Sequence, residues 1–351
     1  MKKLKVLICG DLFVTTNVYQ VALEEAFAGS QYTFEIAKYT DRWPAEPLTR
    51  NEEVSEFVGD EAEIASLASG AEIILTHSAP VTLKVIANAP QLKAVAAARG
   101  GPVNINIKAC TERSIPVFYA PGSKGGAVAE FTIGLMLAEM RSIARSHASM
   151  KYEGQWRGDL YILDFTGFEM AAATVGLVGL GAIGKRVAQI LHGFGSRILV
   201  FDPFVSASAI EELGCEPVDL DFLLKESDIV SLHARLTKES RGMLGERELG
   251  LMKPSAYLVN TARAELVQEQ ALISALKNKT IAGAALDVFE TEPLPKGHPF
   301  YALDNITIAS HLGGATHQAS MLGARIAAGE VYKFITGTEK PRFCINPDVL
   351  N

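Results

Sequence analysis

Short apolar runs alternate with longer segments of helical rhythm along nearly the whole chain. Residues 4–9, 32–37, 72–76, 92–97 and 115–118 have the length and the alternating or β-branched character of strands. Helices are expected to close at 24–28 and to span 81–88 and 105–113. Residues 49–68 carry a 3.6-residue rhythm that predicts a polar helix, interrupted at Gly59. The pattern breaks at Ala120-Pro121-Gly122-Ser123, and 126–145 then reads as one long helix, apolar around most of its circumference. Such a helix has one face for its own core and another for a partner subunit. Irregular sequence with Gly154, Trp156, Gly158 and Gly167 fills 151–168. Strand patterns return from Thr174 and at 197–202, 228–233, 256–260, 281–288 and 306–310. Helical stretches at 186–194, 207–213, 221–226 and 268–277 separate them. A last helix is expected over 316–335, followed by an extended tail. Regular alternation of strand and helix predicts an α/β protein whose parallel sheets are covered on both faces.

At 351 residues the chain exceeds one ordinary domain of ~150 residues, so two are expected. The sheet pattern of 120–310 is self-contained and that of 1–119 nearly so. The last helix is left over, and is expected to return to the first domain, giving 1–119 with 311–351 as one domain and 120–310 as the other. A hydrophobic content of 48% supplies two cores, while the net charge of -7 argues against a broad basic surface for nucleic acid or anionic membrane. No apolar run reaches the ~18 residues of a membrane span. The first run is broken at Asp11, too early for a signal peptide. Cys9, Cys110, Cys215 and Cys344 are scattered without metal-ligand spacing, as expected for reduced thiols in a cytoplasmic protein, and no metal site is expected.

The most informative stretch runs from Thr174 to Gly184, where an apolar strand leads into Gly179-Leu180-Gly181-Ala182-Ile183-Gly184 and then a helix. In G-x-G-x-x-G the first glycine permits the turn and the second lets a pyrophosphate approach. The third lets strand and helix pack, with the helix N-terminus facing the phosphates. The next strand ends in Asp202, about 20 residues on, where a carboxylate can accept from ribose hydroxyls. Pro203-Phe204-Val205-Ser206 follow, with no cation for a 2′-phosphate, so NAD is expected over NADP. His233 and Ala234, at a further strand end, are expected to line the adenosine side. Three later strand ends bring Thr261-Ala262-Arg263, then Asp287 with Glu292, then His311 before Gly313-Gly314. Oxidising a hydroxyl needs a base, and histidine titrates nearest neutrality. A carboxylate fixes its tautomer, and arginine can fork onto a substrate carboxylate.

These motifs resemble the D-isomer-specific 2-hydroxyacid dehydrogenase family, in its phosphoglycerate dehydrogenase-like branch. Asn260 to Val267 is similar to its N-x-x-R-G-x-x-V signature, Ala285 to Pro293 to its D-V-F-x-x-E-P segment, and Ser310 to Gly314 to its P-H-x-G-G segment. The resemblance implies a Rossmann NAD-binding domain inserted into a flavodoxin-like substrate domain. It implies Arg263 binding the 2-hydroxy or 2-keto acid, His311 as acid and base, Glu292 as its partner and Asp287 tuning the pair. The cofactor would touch Gly179, Gly181, Ala182, Ile183, Gly184, Asp202, Pro203, His233 and Ala234. At its other end it would meet Thr261, Ala262, Arg263, Asp287, His311, Gly313 and Gly314. A homodimer through helix 126–145 is implied, and no regulatory domain is expected after the last helix.

Departures bear on the substrate. Where the family has a G-x-G-x-D-N turn, this chain has Arg99-Gly100-Gly101-Pro102-Val103-Asn104. Ala97 and His77 stand where phosphoglycerate-handling relatives usually place arginines. Both differences count against 3-phosphoglycerate. Arg99, helped by Lys124 and His77, is expected to meet an anionic or polyhydroxy tail, with Ser78, Gly100 and Gly101 alongside. The other reading of Arg99 is a structural ion pair. An NAD(H)-sensing corepressor or scaffold on the same fold is the alternative to an enzyme, and an Arg-Glu-His set argues against it.

Overall fold

A computed structural model describes residues 1–350, which form two compact units. The first comprises Met1–Lys124 and the segment from Ala315 onward; the second is Gly125–Gly314.

The first unit opens with β1 (Lys2–Gly10), α1 (Thr16–Ala26) and β2 (Tyr32–Thr40). A small antiparallel hairpin follows, β3 (Thr49–Arg50) and β4 (Ser55–Phe57), and then α2 (Glu61–Leu67). The expected polar helix over 49–68 therefore forms only in its last third. Asn51 accepts the amides of Glu53 and Val54 and closes a turn there, while Gly59 takes φ +127°. Asp60 caps the short helix by accepting the amides of Ala62 and Glu63. Next come β5 (Ile73–Thr76), α3 (Leu83–Asn88), β6 (Ala94–Ala97), α4 (Ile107–Glu112) and β7 (Val117–Phe118). The five-stranded sheet is parallel in the order β2-β1-β5-β6-β7, the flavodoxin-like winding.

In the second unit, α5 (Gly125–Met140) and α6 (Ile143–Ala148) replace the single helix expected over 126–145. Ser142 adopts φ +53°, which no α-helix continues through, and Arg145 turns back to the buried Glu139 at 3.0 Å. The irregular stretch after it holds short π and 3-10 turns. Then follow β8 (Thr174–Val178), α7 (Ala182–Phe194), β9 (Arg197–Phe201), α8 (Ala207–Glu211), β10 (Glu216–Pro217), α9 (Leu220–Glu226) and β11 (Ile229–Leu232). After these come α10 (Glu246–Leu251), β12 (Tyr257–Asn260), α11 (Glu269–Lys277), β13 (Gly283–Leu286) and β14 (Ile306–Ile308). The sheet order is β10-β9-β8-β11-β12-β13-β14, all parallel, with the reversal of a Rossmann fold at β8 and β11. Its central strands are buried on both faces, which is why they read as unbroken apolar runs.

The last helix, α12 (His317–Thr336), packs on α1 and completes the first unit's core with Ala324, Ala327, Ala328 and Val331. Gly323 lies so close to the Ala98 carbonyl that a Cβ would stand 3.0 Å from it. Beyond the helix, buried Glu330 accepts the amides of Arg342 and Phe343, and Asn346 accepts the amide of Val117, pinning the tail along β7. Among the described residues no helix is long and apolar enough to cross a membrane, and no group of three or more acidic, histidine or cysteine side chains could hold a metal.

Candidate active site

In the glycine loop the three glycines answer three different demands. Gly179 has φ +98°, and a Cβ there would lie 2.7 Å from the Ala234 amide nitrogen. Gly184 faces the Gly179 carbonyl, which would stand 2.3 Å from a Cβ. At Gly181, by contrast, no atom lies within 4 Å of that position, although it is the N-cap of α7. Open space thus lies beside Gly181, next to the first amides of a helix where Ala182 and Ile183 begin the turn, as an approaching anion requires. Asp202, at the end of β9, accepts the Leu180 amide at 2.7 Å and the Phe204 amide at 2.8 Å, one on each oxygen. Each oxygen keeps lone-pair capacity for a hydroxyl donor. Pro203 and Phe204 beside it are exposed. His233, which borders Gly179 and Gly184, shares a hydrogen bond with the Ser231 hydroxyl at 3.0 Å; burial pushes its pKa down to about 4, so it stands there as a neutral ring.

Three adjacent strands, β12, β13 and β14, send the remaining residues to the same carboxyl edge. After β12, Asn260 accepts the Ala262 amide at 3.0 Å and donates to the Arg263 carbonyl at 2.8 Å, locking the turn that presents Arg263. Thr261 shares a 2.7 Å hydrogen bond with Thr132 of α5. Arg263 donates to the Ala262 carbonyl at 2.6 Å. After β14, His311 Nδ1 lies 2.8 Å from Glu292, which also accepts the Phe289 amide at 3.0 Å. Burial works to raise the Glu292 pKa, but the bond and charge of His311 outweigh it and hold the carboxyl below its ordinary value. Glu292 is therefore an anion at neutral pH, and Nδ1 is the protonated nitrogen.

Asp287 does not reach the histidine ring through a hydrogen bond. Its two oxygens accept the amides of Leu312 and Gly313 at 2.7 and 2.8 Å. His311 itself has φ +56°, a conformation uncommon outside glycine. The grip of Asp287 on the next two amides imposes it, and a side chain at Gly313 would meet the same carboxylate at 2.9 Å. Burial raises the Asp287 pKa, with those two amides working against it.

The first unit has its own row of functional groups at the carboxyl ends of its strands. Asp11 follows β1, Asp41 follows β2, His77 and Ser78 follow β5, and Arg99 lies just beyond β6. His77 and Ser78 are buried, 4% and 2% exposed, which directs them inward. Asp11 accepts the amides of Phe13 and Val14 on one oxygen, and His77 Nδ1 at 2.5 Å and the Ser78 hydroxyl at 2.6 Å on the other. Burial pushes the Asp11 pKa up, but these donors outweigh it and keep it ionised; burial lowers His77. Ser78 also lies 2.8 Å from Asp41, whose pKa burial raises to about 6. One hydroxyl carries one proton, so the contact with Asp41 is best made when that carboxyl brings a second. Arg99 pairs with Glu56, and Gly100 and Gly101 beside it are open to addition of a side chain. The Lys124 ammonium lies 5.6 Å from the Phe13 ring centre. Asp11, Asp41, Glu56 and Thr132 carry no motif; strand-end position alone points to the first two.

Residues 133–313 match the family model described as D-isomer specific 2-hydroxyacid dehydrogenase, NAD binding domain. The chain is 41% identical to a glyoxylate reductase of Thermococcus litoralis over 77% of its own length and 82% of the relative's. It is 38% identical to a D-3-phosphoglycerate dehydrogenase of Methanocaldococcus jannaschii over 78% of its length, but only 52% of that longer protein. Among solved structures, the D-lactate dehydrogenase of Escherichia coli superimposes with a TM-score of 0.74 at 28% identity, covering 97% of this chain and all of that one. The chain belongs to the D-isomer specific 2-hydroxyacid dehydrogenase family, and it is an NAD-dependent oxidoreductase of D-2-hydroxy acids.

Proposed function

We propose that the chain interconverts a small D-2-hydroxy acid and its 2-keto partner, with His311 as general acid and base. The observation that carries this reading is the 2.8 Å contact between His311 and Glu292, which follow β14 and β13, the two strands next in order after the one that leads to Arg263. Bound NAD supplies the hydride acceptor in one direction and, as NADH, the donor in the other. Because Nδ1 is committed to Glu292, Nε2 is left to take the substrate's hydroxyl proton on oxidation and return it on reduction. Glu292 then faces the imidazolium that forms. Arg263 holds the substrate carboxylate in its fork and draws density from the neighbouring carbonyl. Asp287 is a positioning residue that acts through the backbone of His311. Gly181, Ala182 and Ile183 fit the pyrophosphate and Asp202 the adenosine ribose. His233 and Ala234 border the adenosine, and Thr261, Ala262, Gly313 and Gly314 lie on the nicotinamide side. In this reading the second unit holds the cofactor, and the first, at Arg99, Gly100, Gly101 and Lys124, selects the acid.

A homodimer through 126–145, the range that α5 and α6 fill, is part of the proposal, with the stretch that follows them as added surface. The stretch after α5 exposes Trp156, Tyr161, Leu163 and Phe165, the first three more than four-fifths exposed, which is unusual apolar area for a monomer's surface. A proton shuttle has no use in a pure NAD(H) sensor, so the His311–Glu292 pair weighs against that alternative. The test is a screen of 2-keto acids with NADH, glyoxylate first because a 41% identical relative is a glyoxylate reductase, followed by hydroxypyruvate and sugar-derived acids. His311→Gln should lower turnover by at least ~10³-fold while NADH still binds. Retained turnover would remove His311 from the chemistry, and silence of the unaltered protein across the panel would favour the sensor.

A further inference from the structure

Beside the first unit's glycine pair lies an ion pair, Arg99 with Glu56, of which the reading above uses only the arginine. Arg99 is largely covered, its side chain 16% exposed. Its Nη1 donates to the main-chain carbonyl of Glu56 at 3.1 Å and its Nη2 to the carboxylate of the same residue. Glu56 is on β4, half-exposed, and holds φ +50°, a region that side-chain-bearing residues rarely adopt. Its hairpin is fastened to the loop after β6 by the Ser55 amide, which donates to the Val103 carbonyl at 3.0 Å. The pair is therefore held from both sides, and it stands next to Gly100 and Gly101, where a side chain would meet nothing within 4 Å.

We propose that Glu56 and Arg99 act together to select acids whose tail carries hydroxyl groups over acids whose tail carries a second negative charge; this rests on the catalytic reading above. A hydroxyl is both donor and acceptor, so it can donate to Glu56 and accept from Arg99 while the pair stays intact. A carboxylate or phosphate tail has only acceptors. It would have to displace Glu56 from both its contacts with Arg99 or lie beside it, with the Asp11 carboxylate at a nearby strand end. Arg99 and Lys124 both lower the His77 pKa by their charge, while Glu56 pairs with Arg99 and Asp11 stays ionised beside His77. Arg99, the cation beside the glycine pair, is thus already engaged rather than held open for a phosphate. An aliphatic tail would cover the pair without replacing the hydrogen bonds it makes to water.

The experiment compares kcat/KM with NADH for glyoxylate and for three 2-keto acids of matched length, with hydroxylated, carboxylated and plain aliphatic tails. The unaltered protein should favour the hydroxylated acid. Glu56→Gln keeps size and an acceptor but removes the charge. It should shift the ratio of hydroxylated to carboxylated substrate by about tenfold toward the carboxylated one. NADH binding, titrated on the same samples, reports that the variant folds. If the ratio does not move, or if the unaltered protein prefers the carboxylated or aliphatic acid, the selection by Glu56 is wrong while reduction of glyoxylate still upholds the catalytic reading. If the unaltered protein binds NADH and reduces none of the four, both fall.

Discussion

His311 combines two properties that its sequence neighbours explain only in part. Its partner Glu292 follows from the order of strand ends, because acid and base had to reach the same edge of one sheet. Its left-handed backbone does not, since no pattern of apolar positions encodes a positive φ at a histidine. Asp287 supplies the missing constraint by holding the amides of Leu312 and Gly313. Asp287→Asn would offer one acceptor and turn an amide group toward the other N–H, loosening the loop. Turnover is expected to fall by about 10–100-fold, with NADH affinity nearly unchanged, as read from kcat beside a fluorescence titration of NADH. Asp41 leads to a prediction about pH. Its folded-state pKa of about 6 stands above the ordinary 3.8, so its stabilising contribution is complete at acidic pH and is lost as the pH rises through about 6. Asp41→Asn mimics the protonated form. Relative to the unaltered protein, the variant should gain roughly 2 kcal/mol between about pH 4 and about pH 7, measured by urea unfolding at each pH. A constant difference across that range would place the proton elsewhere in the cluster.

Among the elements, those with a fully apolar run or a long amphipathic rhythm were legible, because burial on one face or two leaves a periodic trace. The Rossmann strands and α7, α11 and α12 fall where the pattern puts them, within a few residues. The hairpin β3–β4 escaped because its rhythm is helical while its Asx turn at Asn51 and the left-handed Glu56 are local hydrogen-bond and backbone effects. The break after α5 escaped for a similar reason at Ser142, and α10, short and polar, left no periodic signal. The G-x-G-x-x-G element was readable as strand, turn and helix, with Gly179 at the turn and Gly184 at the packing contact. Gly184→Ala would drive a methyl group against the Gly179 carbonyl and force strand and helix apart. A loss of about 2 kcal/mol in stability and of most NADH binding is expected, whereas Gly181→Ala, with open space around it, should fold normally and weaken NADH alone. Thermal melts with and without NADH separate the two; equal behaviour of the variants would contradict the separate purposes.

For the whole molecule, two units could be inferred from length and from an orphan helix, and the α12 contact with α1 gives that orphan its place. The identity of the acid was not legible, because substrate choice rests on pairings such as Arg99 with Glu56 that are distant in sequence and carry no motif. The assembly prediction belongs here too. If the exposed aromatic stretch forms a dimer interface, Trp156→Asp with Leu163→Asp should turn the dimer into a monomer by sedimentation velocity. A dimer that survives both changes would put the contact on another face.

The placement of α12 has a consequence for synthesis. The core that holds Leu4, Val6, Ile8, Tyr19 and Leu23 also needs Ala324, Ala327 and Val331, so its last layer leaves the ribosome only after the whole of 125–314 has been made. The middle of the chain has no such wait. A nascent chain arrested while the segment after Gly314 is still inside the ribosome should therefore resist protease across 125–314 while 1–124 is still cut, and each molecule would meet its first opportunity to bind NAD before it owns a finished surface for the acid.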